Sequence, residues 1–101
     1  MNKVQFENHL KGKIVLANFS ASWCGPCVAM APVIKELARS YNGRAKVMEI
    51  DIDTEKKLAT DYMVHSIPTL ILFQNGKETQ RLIGLQSRSA IEKVLDELLC
   101  L

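Results

Sequence analysis

One short apolar segment constrains the fold more than any other part of the sequence. Residues Ile14 to Phe19 are apolar except for Asn18. A strand with one face in water alternates apolar and polar residues, whereas a strand covered on both faces is apolar nearly throughout. We therefore expect this segment to be the central strand of a sheet that carries helices on both of its faces.

The segment about ten residues further on has the apolar spacing of a helix. Six apolar side chains recur at intervals of three and four residues, which places them on one helical face. They are Met30, Val33, Ile34, Leu37, Ala38 and Tyr41. We expect this helix to end at Asn42-Gly43 and to be kinked, not broken, at Pro32.

A second strand and a short helix extend this arrangement. Residues 45–52 are typical of a strand, and residues 55–62 are typical of a short helix that Asp53-Thr54 would cap. Together with the central strand and the long helix they predict a β-α-β crossover, which is right-handed in nearly all proteins.

The last third of the chain predicts a hairpin followed by a helix. Residues 69–73 and 78–83 flank Asn75-Gly76, a strong signal for an antiparallel turn. Ser87 would cap the final helix. At the other end of the chain, residues 4–10 would form a first, amphipathic helix. The expected sheet is therefore mixed, and the fold class is α/β.

Composition and charge limit the classes of function. The 101 residues are 48% hydrophobic and 24% charged, as expected for one globular domain over residues 1–101. A net charge of +2 is too balanced to indicate nucleic acid or an anionic membrane as a partner. The apolar runs are short and the chain opens Met-Asn-Lys without an apolar signal segment, so we expect a cytoplasmic protein. We also expect the protein to be a monomer.

The segment Cys24-Gly25-Pro26-Cys27 indicates the chemistry. Cys24 would lie at the start of a helix, where unpaired backbone N–H groups favour the thiolate that attacks disulfides. Cys27 would lie one helical turn further on, more protected but within reach of Cys24, which suits a resolving thiol. Pro26 has no N–H to donate to the thiolate, which favours a reducing couple.

A zinc half-site is the alternative interpretation of two cysteines at this spacing. A second ligand pair is missing, because His9 and His65 lie far apart in the sequence. We therefore expect no metal. Cys100 lies far from the motif and is expected to be passive, although an exposed thiol there would allow disulfide-linked dimers on oxidation.

Several motifs together closely resemble the thioredoxin family, over almost the entire chain. They are Ser22-Trp23-Cys24-Gly25-Pro26-Cys27, Ala31-Pro32, Ser66-Ile67-Pro68-Thr69, Asn75-Gly76, Phe19 and Gly84. The resemblance implies a thioredoxin fold with a cis peptide bond before Pro68. It also implies a protein disulfide reductase that binds no cofactor, acts on disulfide-containing proteins and receives electrons from NADPH through a thioredoxin reductase.

The same resemblance implies a docking surface for substrates. Trp23, Gly25, Pro26, Ile67 and Gly84 would form a flat apolar patch, and the backbone of Ile67 would pair with an extended substrate segment. The alternative is that Trp23 and Ile67 simply belong to the core.

The chain departs from the thioredoxin pattern near the resolving cysteine. Asn18 stands where thioredoxins usually carry a buried Asp that helps to deprotonate that cysteine, and Glu49 stands where a Lys is common. We hypothesise that Glu49, from a partly buried position, supplies the missing carboxylate. Alternatively, Glu49 is a solvated strand residue, and Asn18 positions a water or satisfies a core hydrogen bond. Ser20 and Val28 also depart from the pattern, at the rim of the site.

The short N-terminus is a further departure. The few residues before Ile14 leave room for a helix but not for the family's additional strand, so we expect that first strand to be missing. The sheet then has four strands, in the order 45–52, 14–19, 69–73 and 78–83.

Two other functions fit the same residues. The fold could be a binding module whose dithiol is incidental, or a reductase dedicated to one client, with Asn18, Ser20 and Glu49 reflecting that narrower role.

Overall fold

The apolar segment that begins at Ile14 lies inside a four-stranded sheet. A computed structural model describes residues 1–100 of the chain. The strands are β1 (Ile14–Ser20), β2 (Lys46–Asp51), β3 (Thr69–Gln74) and β4 (Lys77–Ile83), in the sheet order β2-β1-β3-β4. β1 pairs in parallel with β2 and antiparallel with β3, and β3 pairs antiparallel with β4. The predicted mixed sheet and its strand order are confirmed.

Across residues 1–100, four helices surround this sheet. They are α1 (Lys3–Leu10), α2 (Gly25–Ser40), α3 (Lys56–Asp61) and α4 (Arg88–Leu99). The described residues ahead of β1 form α1 and no strand, as expected for this part of the sequence. Over the same residues, no helix has both the length and the apolar character that crossing a membrane requires.

The pleat of β1 divides the core into two halves. Phe19 packs with Phe6 of α1 and Leu58 of α3 in one buried cluster. Leu16 packs on the opposite face, in a second cluster built mainly from α2, α4 and β3. Because side chains two residues apart share a face of a strand, Asn18 points to the same face as Leu16. The burial of β1 on both faces, predicted from its composition, is confirmed.

The helix that follows the cysteine motif is continuous through Pro32. α2 runs from Gly25 to Ser40, so the prediction that Pro32 does not break it is confirmed. Its apolar face buries Ile34 and Leu37 against the sheet, whereas Ala38, which the spacing placed on that face, is exposed. The buried stripe is therefore narrower at its C-terminal end than predicted.

The start of α3 differs from the prediction. Glu55 occupies the N-cap position and its side chain makes no capping hydrogen bond, so the cap predicted at Asp53-Thr54 is wrong. The physical reason lies in tertiary contacts. The Asp53 carboxylate accepts from the Trp23 indole N–H at 2.8 Å, and the Thr54 hydroxyl donates to the Asp51 carbonyl at 3.2 Å.

Tyr41 joins the end of α2 to α4. Its side chain is 3% exposed, and its hydroxyl donates to the Asp96 carboxylate at 2.6 Å. Burial, and next the hydrogen bond to Asp96, raise the pKa of Tyr41 to about 12. Folding therefore favours the neutral hydroxyl, and this contribution is present below pH 10 and lost as the pH rises through about 12.

We expect Tyr41→Phe to lower the free energy of unfolding by about 1–2 kcal/mol, because it removes one charge-assisted hydrogen bond from a buried site. Urea denaturation at neutral pH measures this. Tyr62→Phe is the matched control, since no hydrogen bond to the Tyr62 hydroxyl occurs within residues 1–100. Equal losses in both variants would show that the contact with Asp96 contributes nothing.

Candidate active site

The two cysteines lie where β1 gives way to α2. The Cys24 N–H donates to the Ala21 carbonyl at 3.3 Å, which closes the turn after the strand. Cys24 is the N-cap of α2, and its sulfur accepts the Cys27 N–H at 3.3 Å. Pro26 lies in the first turn of the helix, where its missing N–H leaves no intrahelical bond unmade. The predicted position of Cys24 at a helix start is confirmed.

Both thiols are free and nearly inaccessible. Cys24 is 7% exposed and Cys27 is 5% exposed. Cys27 is therefore more buried than Cys24, as expected, but only slightly. They form a small apolar cluster with Ala21, against which Ile52 and Ile67 pack. A target disulfide must therefore come close to Cys24, along the surface that surrounds it, before the Cys24 sulfur can attack it.

Cys27 is held as a neutral thiol. Burial first, and then the hydrogen bond and the charge of Cys24, raise the pKa of Cys27 from its ordinary value of 9.0 to about 11. At pH 7 only about one Cys27 in ten thousand is then a thiolate. Cys27 therefore needs a proton acceptor before it can attack a disulfide at a useful rate.

The loop before β3 brings three further site residues to Cys24. The Ile67–Pro68 peptide bond is cis, as expected, and the Ile67 carbonyl accepts from the Cys24 thiol at 3.9 Å. Gly84, in the left-handed region with φ of 87°, donates its N–H to the Pro68 carbonyl at 2.8 Å. These contacts place Ile67, Pro68 and Gly84 together beside the nucleophile that the sequence predicted.

Trp23 lies on the surface and not in the core. Its side chain is 67% exposed, and its indole N–H donates to Asp53. The alternative that placed Trp23 in the core is therefore wrong, while Ile67 is half-buried. Asp53 is a site residue that the sequence analysis missed. The carboxyl ends of parallel strands meet at one edge of a sheet, so an acidic residue just after β2 was a usable signal.

A cavity of about 160 Å³ lies behind Cys27. Asn18, Ser20, Cys27, Val28 and Glu49 contribute to its lining. Asn18 is 3% exposed, and its Oδ1 has no hydrogen-bond partner within residues 1–100. A buried, unpartnered amide oxygen is costly, so this atom is expected to accept from a water in the cavity.

Glu49 reaches the same cavity from the neighbouring strand. It is the partner of Asn18 in the parallel register between β1 and β2. Glu49 is exposed, so the partial burial expected for it is wrong. The reason is that β2 is an edge strand of the sheet.

Within residues 1–100, no group of three His, Cys, Asp or Glu side chains has a metal-binding geometry. His9 and His65 are both exposed. Cys100 is an exposed free thiol at the C-cap of α4.

Comparison with known proteins agrees with this geometry. The family model described as Thioredoxin matches residues 1–97. A thioredoxin of Staphylococcus epidermidis and one of Staphylococcus aureus are each 39% identical over 92 residues, which is 91% of this chain and 88% of each relative.

Solved structures of thioredoxins also align with this chain. A structure of a mutant thioredoxin from Halobacterium salinarum aligns with a TM-score of 0.86 at 34% identity, covering 96% of this chain and 85% of that one. Mitochondrial thioredoxin 3 from Saccharomyces cerevisiae, in its oxidized form, aligns with a TM-score of 0.84 at 28% identity, covering 93% of this chain and 88% of that one.

A dithiol that caps a helix, beside a cis-proline loop and on this sheet, defines a disulfide oxidoreductase. The chain belongs to the thioredoxin family.

We expect Cys24 to be alkylated at least about tenfold faster than Cys27 at neutral pH, because iodoacetamide reacts with thiolates and the raised pKa keeps Cys27 protonated. Peptide mass spectrometry of a Cys100→Ser protein after limited labelling measures the order. Unfolding the protein in urea before labelling is the control, and it should remove the difference. Equal rates in the folded protein would contradict the assignment.

Proposed function

We propose that this chain reduces disulfide bonds in other proteins, with Cys24 as the nucleophile and Cys27 as the resolving thiol, acting as one domain over residues 1–101. One observation carries the assignment of roles. The Cys24 sulfur accepts a backbone N–H at 3.3 Å, which stabilises negative charge there, whereas burial raises the pKa of Cys27 to about 11.

The reaction then has two exchange steps. The Cys24 thiolate attacks one sulfur of the target disulfide, a Cys24–target bond forms, and the other target sulfur leaves as a thiolate. Cys27 then loses its proton and attacks the Cys24 sulfur, which releases the second target thiolate and leaves a Cys24–Cys27 disulfide. Two electrons pass from the protein to its target in each cycle.

We assign substrate docking to the surface around Cys24. Trp23 supplies an exposed aromatic face, and Gly25 and Pro26 leave the approach to Cys24 free of bulky side chains. Ile67 and Gly84 complete the patch, and the backbone of Ile67 would pair with an extended target segment. Trp23 is held in place by its hydrogen bond to Asp53, so this face is pre-organised.

The oxidised protein needs an electron donor to return to the dithiol. We propose a thioredoxin reductase that draws on NADPH, with the chain working as a cytoplasmic monomer without a bound cofactor. Membership of the thioredoxin family supports a disulfide-containing substrate and a reductase partner.

Reduction of insulin disulfides by the intact chain, with dithiothreitol as the donor, tests the proposal. Cys24→Ser is expected to abolish the catalysed rate, because Cys27 is held protonated and Cys100, at the C-cap of α4, has no resolving thiol three residues away. Cys27→Ser, reduced in advance and then mixed with insulin after the dithiothreitol has been removed, is expected to accumulate a mixed disulfide between Cys24 and the target, visible by mass spectrometry. Cys100→Ser is the matched control and should retain full activity. Turnover in Cys24→Ser, or no turnover in the unaltered chain, would overturn the proposal.

We further propose that Glu49 accepts the proton of Cys27. Both residues line the cavity of about 160 Å³, which has room for several waters at about 30 Å³ each. A water there would accept the thiol proton and pass it to the Glu49 carboxylate, while the amide oxygen of Asn18 holds that water in place. Exposure of Glu49 then lets the proton escape to solvent.

We expect Glu49→Gln to slow the release of target from the mixed disulfide at neutral pH by about tenfold or more, because the amide cannot accept a proton. The deficit should shrink as the pH rises toward about 11, where Cys27 ionises without help. Stopped-flow Trp23 fluorescence from about pH 6 to about pH 9 follows this step. Glu97→Gln, a change at an exposed glutamate on α4, is the control.

Unchanged kinetics in Glu49→Gln over this range would remove Glu49 from the mechanism. Faster release would do the same, since it would mean that Glu49 acts only as a like charge that opposes formation of the Cys27 thiolate.

A further inference from the structure

A second cavity lies at the end of the strands that is opposite to the dithiol, where β1 begins. It has a volume of about 530 Å³, and its walls come from the loop before β1, the loop between α2 and β2, and the β3–β4 turn. Ile14, the first residue of β1, lines it, whereas Ser20, the last, lines the cavity beside Cys27. A strand of this length separates the two by about 20 Å, so this cavity is no part of the redox site.

The charge of this cavity is entirely of one sign. Among residues 1–100, Lys13, Arg44 and Lys46 line it, and no carboxylate does. The side-chain amides of Asn42 and Gln74 are also among the lining residues and add neutral hydrogen-bond donors. We refer to the open space that these residues line as the basic cavity. Such a concentration of donors and positive charge favours an anion.

The three cations are available to a ligand. Within residues 1–100, Lys13, Arg44 and Lys46 form no ion pair, whereas Arg81 and Arg88 each pair with a glutamate. The Lys46 ammonium instead lies 3.0 Å from Nδ1 of His9. A ligand would therefore not have to break a salt bridge to reach these side chains.

The Arg44 side chain is held in position before any ligand binds. Its guanidinium lies 4.7 Å from the centre of the Tyr41 ring, and Nη2 donates to the Ser40 carbonyl at 2.8 Å. These contacts leave further N–H groups of the guanidinium unused, and their planar arrangement matches two oxygens of a phosphate. Because the side chain is held before binding, less conformational entropy is lost when a ligand arrives.

The walls are joined by backbone hydrogen bonds. The Asn75 N–H donates to the Lys13 carbonyl at 3.1 Å, which ties the hairpin turn to the loop before β1. The N–H groups of Arg44 and Ala45 both donate to the Tyr41 carbonyl, at 2.8 and 2.9 Å. The first bond joins two walls that are far apart in sequence, and the other two fix the shape of the loop that forms the third wall.

We propose that the basic cavity binds a small phosphorylated molecule that carries at least two negative charges. Its volume falls in the range of about 300–1,000 Å³ that is usual for small-molecule sites, and it exceeds what one inorganic phosphate fills. The three lining cations carry more positive charge than a single carboxylate would neutralise, and the concave shape limits the size of the ligand. A net charge of +2 for the whole chain argues against an extended nucleic acid.

Titration of the ¹⁵N-labelled intact chain with inorganic pyrophosphate, at constant ionic strength, tests the proposal. We expect saturable amide shifts confined to residues 12–14, 42–46 and 74–75. Citrate, a polyanion without phosphate, should bind at least about fivefold more weakly, since its oxygens do not match the guanidinium fork as closely. Shifts that do not saturate or that spread over the surface would overturn the site, and equal binding of citrate would overturn the choice of phosphate.

Charge variants distinguish a specific binding site from nonspecific electrostatic attraction of the anion to the protein surface. Arg44→Gln with Lys46→Gln should weaken pyrophosphate binding by about tenfold or more, because each change removes one charged donor. Lys35→Gln with Lys93→Gln removes the same charge from positions on α2 and α4 outside the cavity and should leave binding unchanged. Equal losses in the two pairs would overturn the proposal.

One further variant guards against a loss of folding. Arg44 stacks on Tyr41, so its replacement is able to disturb α2, whereas Lys13 is exposed and makes no side-chain contact of that kind with the residues that the structure describes. Lys13→Gln should weaken binding by at least about threefold with an unchanged thermal midpoint. If Lys13→Gln left pyrophosphate binding unchanged, the proposal that the ligand binds in the basic cavity would be contradicted. All these variants should retain insulin reduction, so this proposal and that of the dithiol can fail separately.

Discussion

Burial of β1 on both faces is the constraint on which the rest of the structure depends. Phe19 belongs to the core beneath α1 and α3, and Leu16 to the core beneath α2 and α4, so the strand cannot shift without disrupting both halves. The strand therefore delivers its C-terminal end to a fixed place. There Cys24 caps α2 with its own sulfur, and the helix carries Cys27 back into contact with it.

The parts of the fold that follow from local pattern were predictable. The nearly continuous apolar run in β1, the spacing of Ile34 and Leu37, and the Asn75-Gly76 turn each reflect an arrangement of neighbouring residues. Each was found as expected. The start of α3 was not predictable in this way, because Asp53 is engaged by the indole of Trp23 from another part of the chain.

The features of the site also fall into those that local sequence predicts and those that depend on tertiary contacts. The motif alone identified Cys24 and Cys27, since a helix start and one helical turn are local properties. The exposure of Glu49 depends on the place of β2 at the edge of the sheet, and the pKa of Cys27 depends on what buries it. The basic cavity is assembled from three loops that no sequence window contains together. Its residues therefore gave no signal as a group.

The central claim is that the fold makes Cys24 the reactive thiol and keeps the chemically equivalent Cys27 protonated. Titration of the ¹³Cβ chemical shift of Cys27 by NMR, in the reduced chain with Cys100→Ser, measures this most directly. The account predicts that this resonance is unchanged through neutral pH and moves only as the pH approaches about 11. A midpoint at or below the ordinary value of 9.0 would contradict it, because burial would then not be what holds the resolving thiol in reserve.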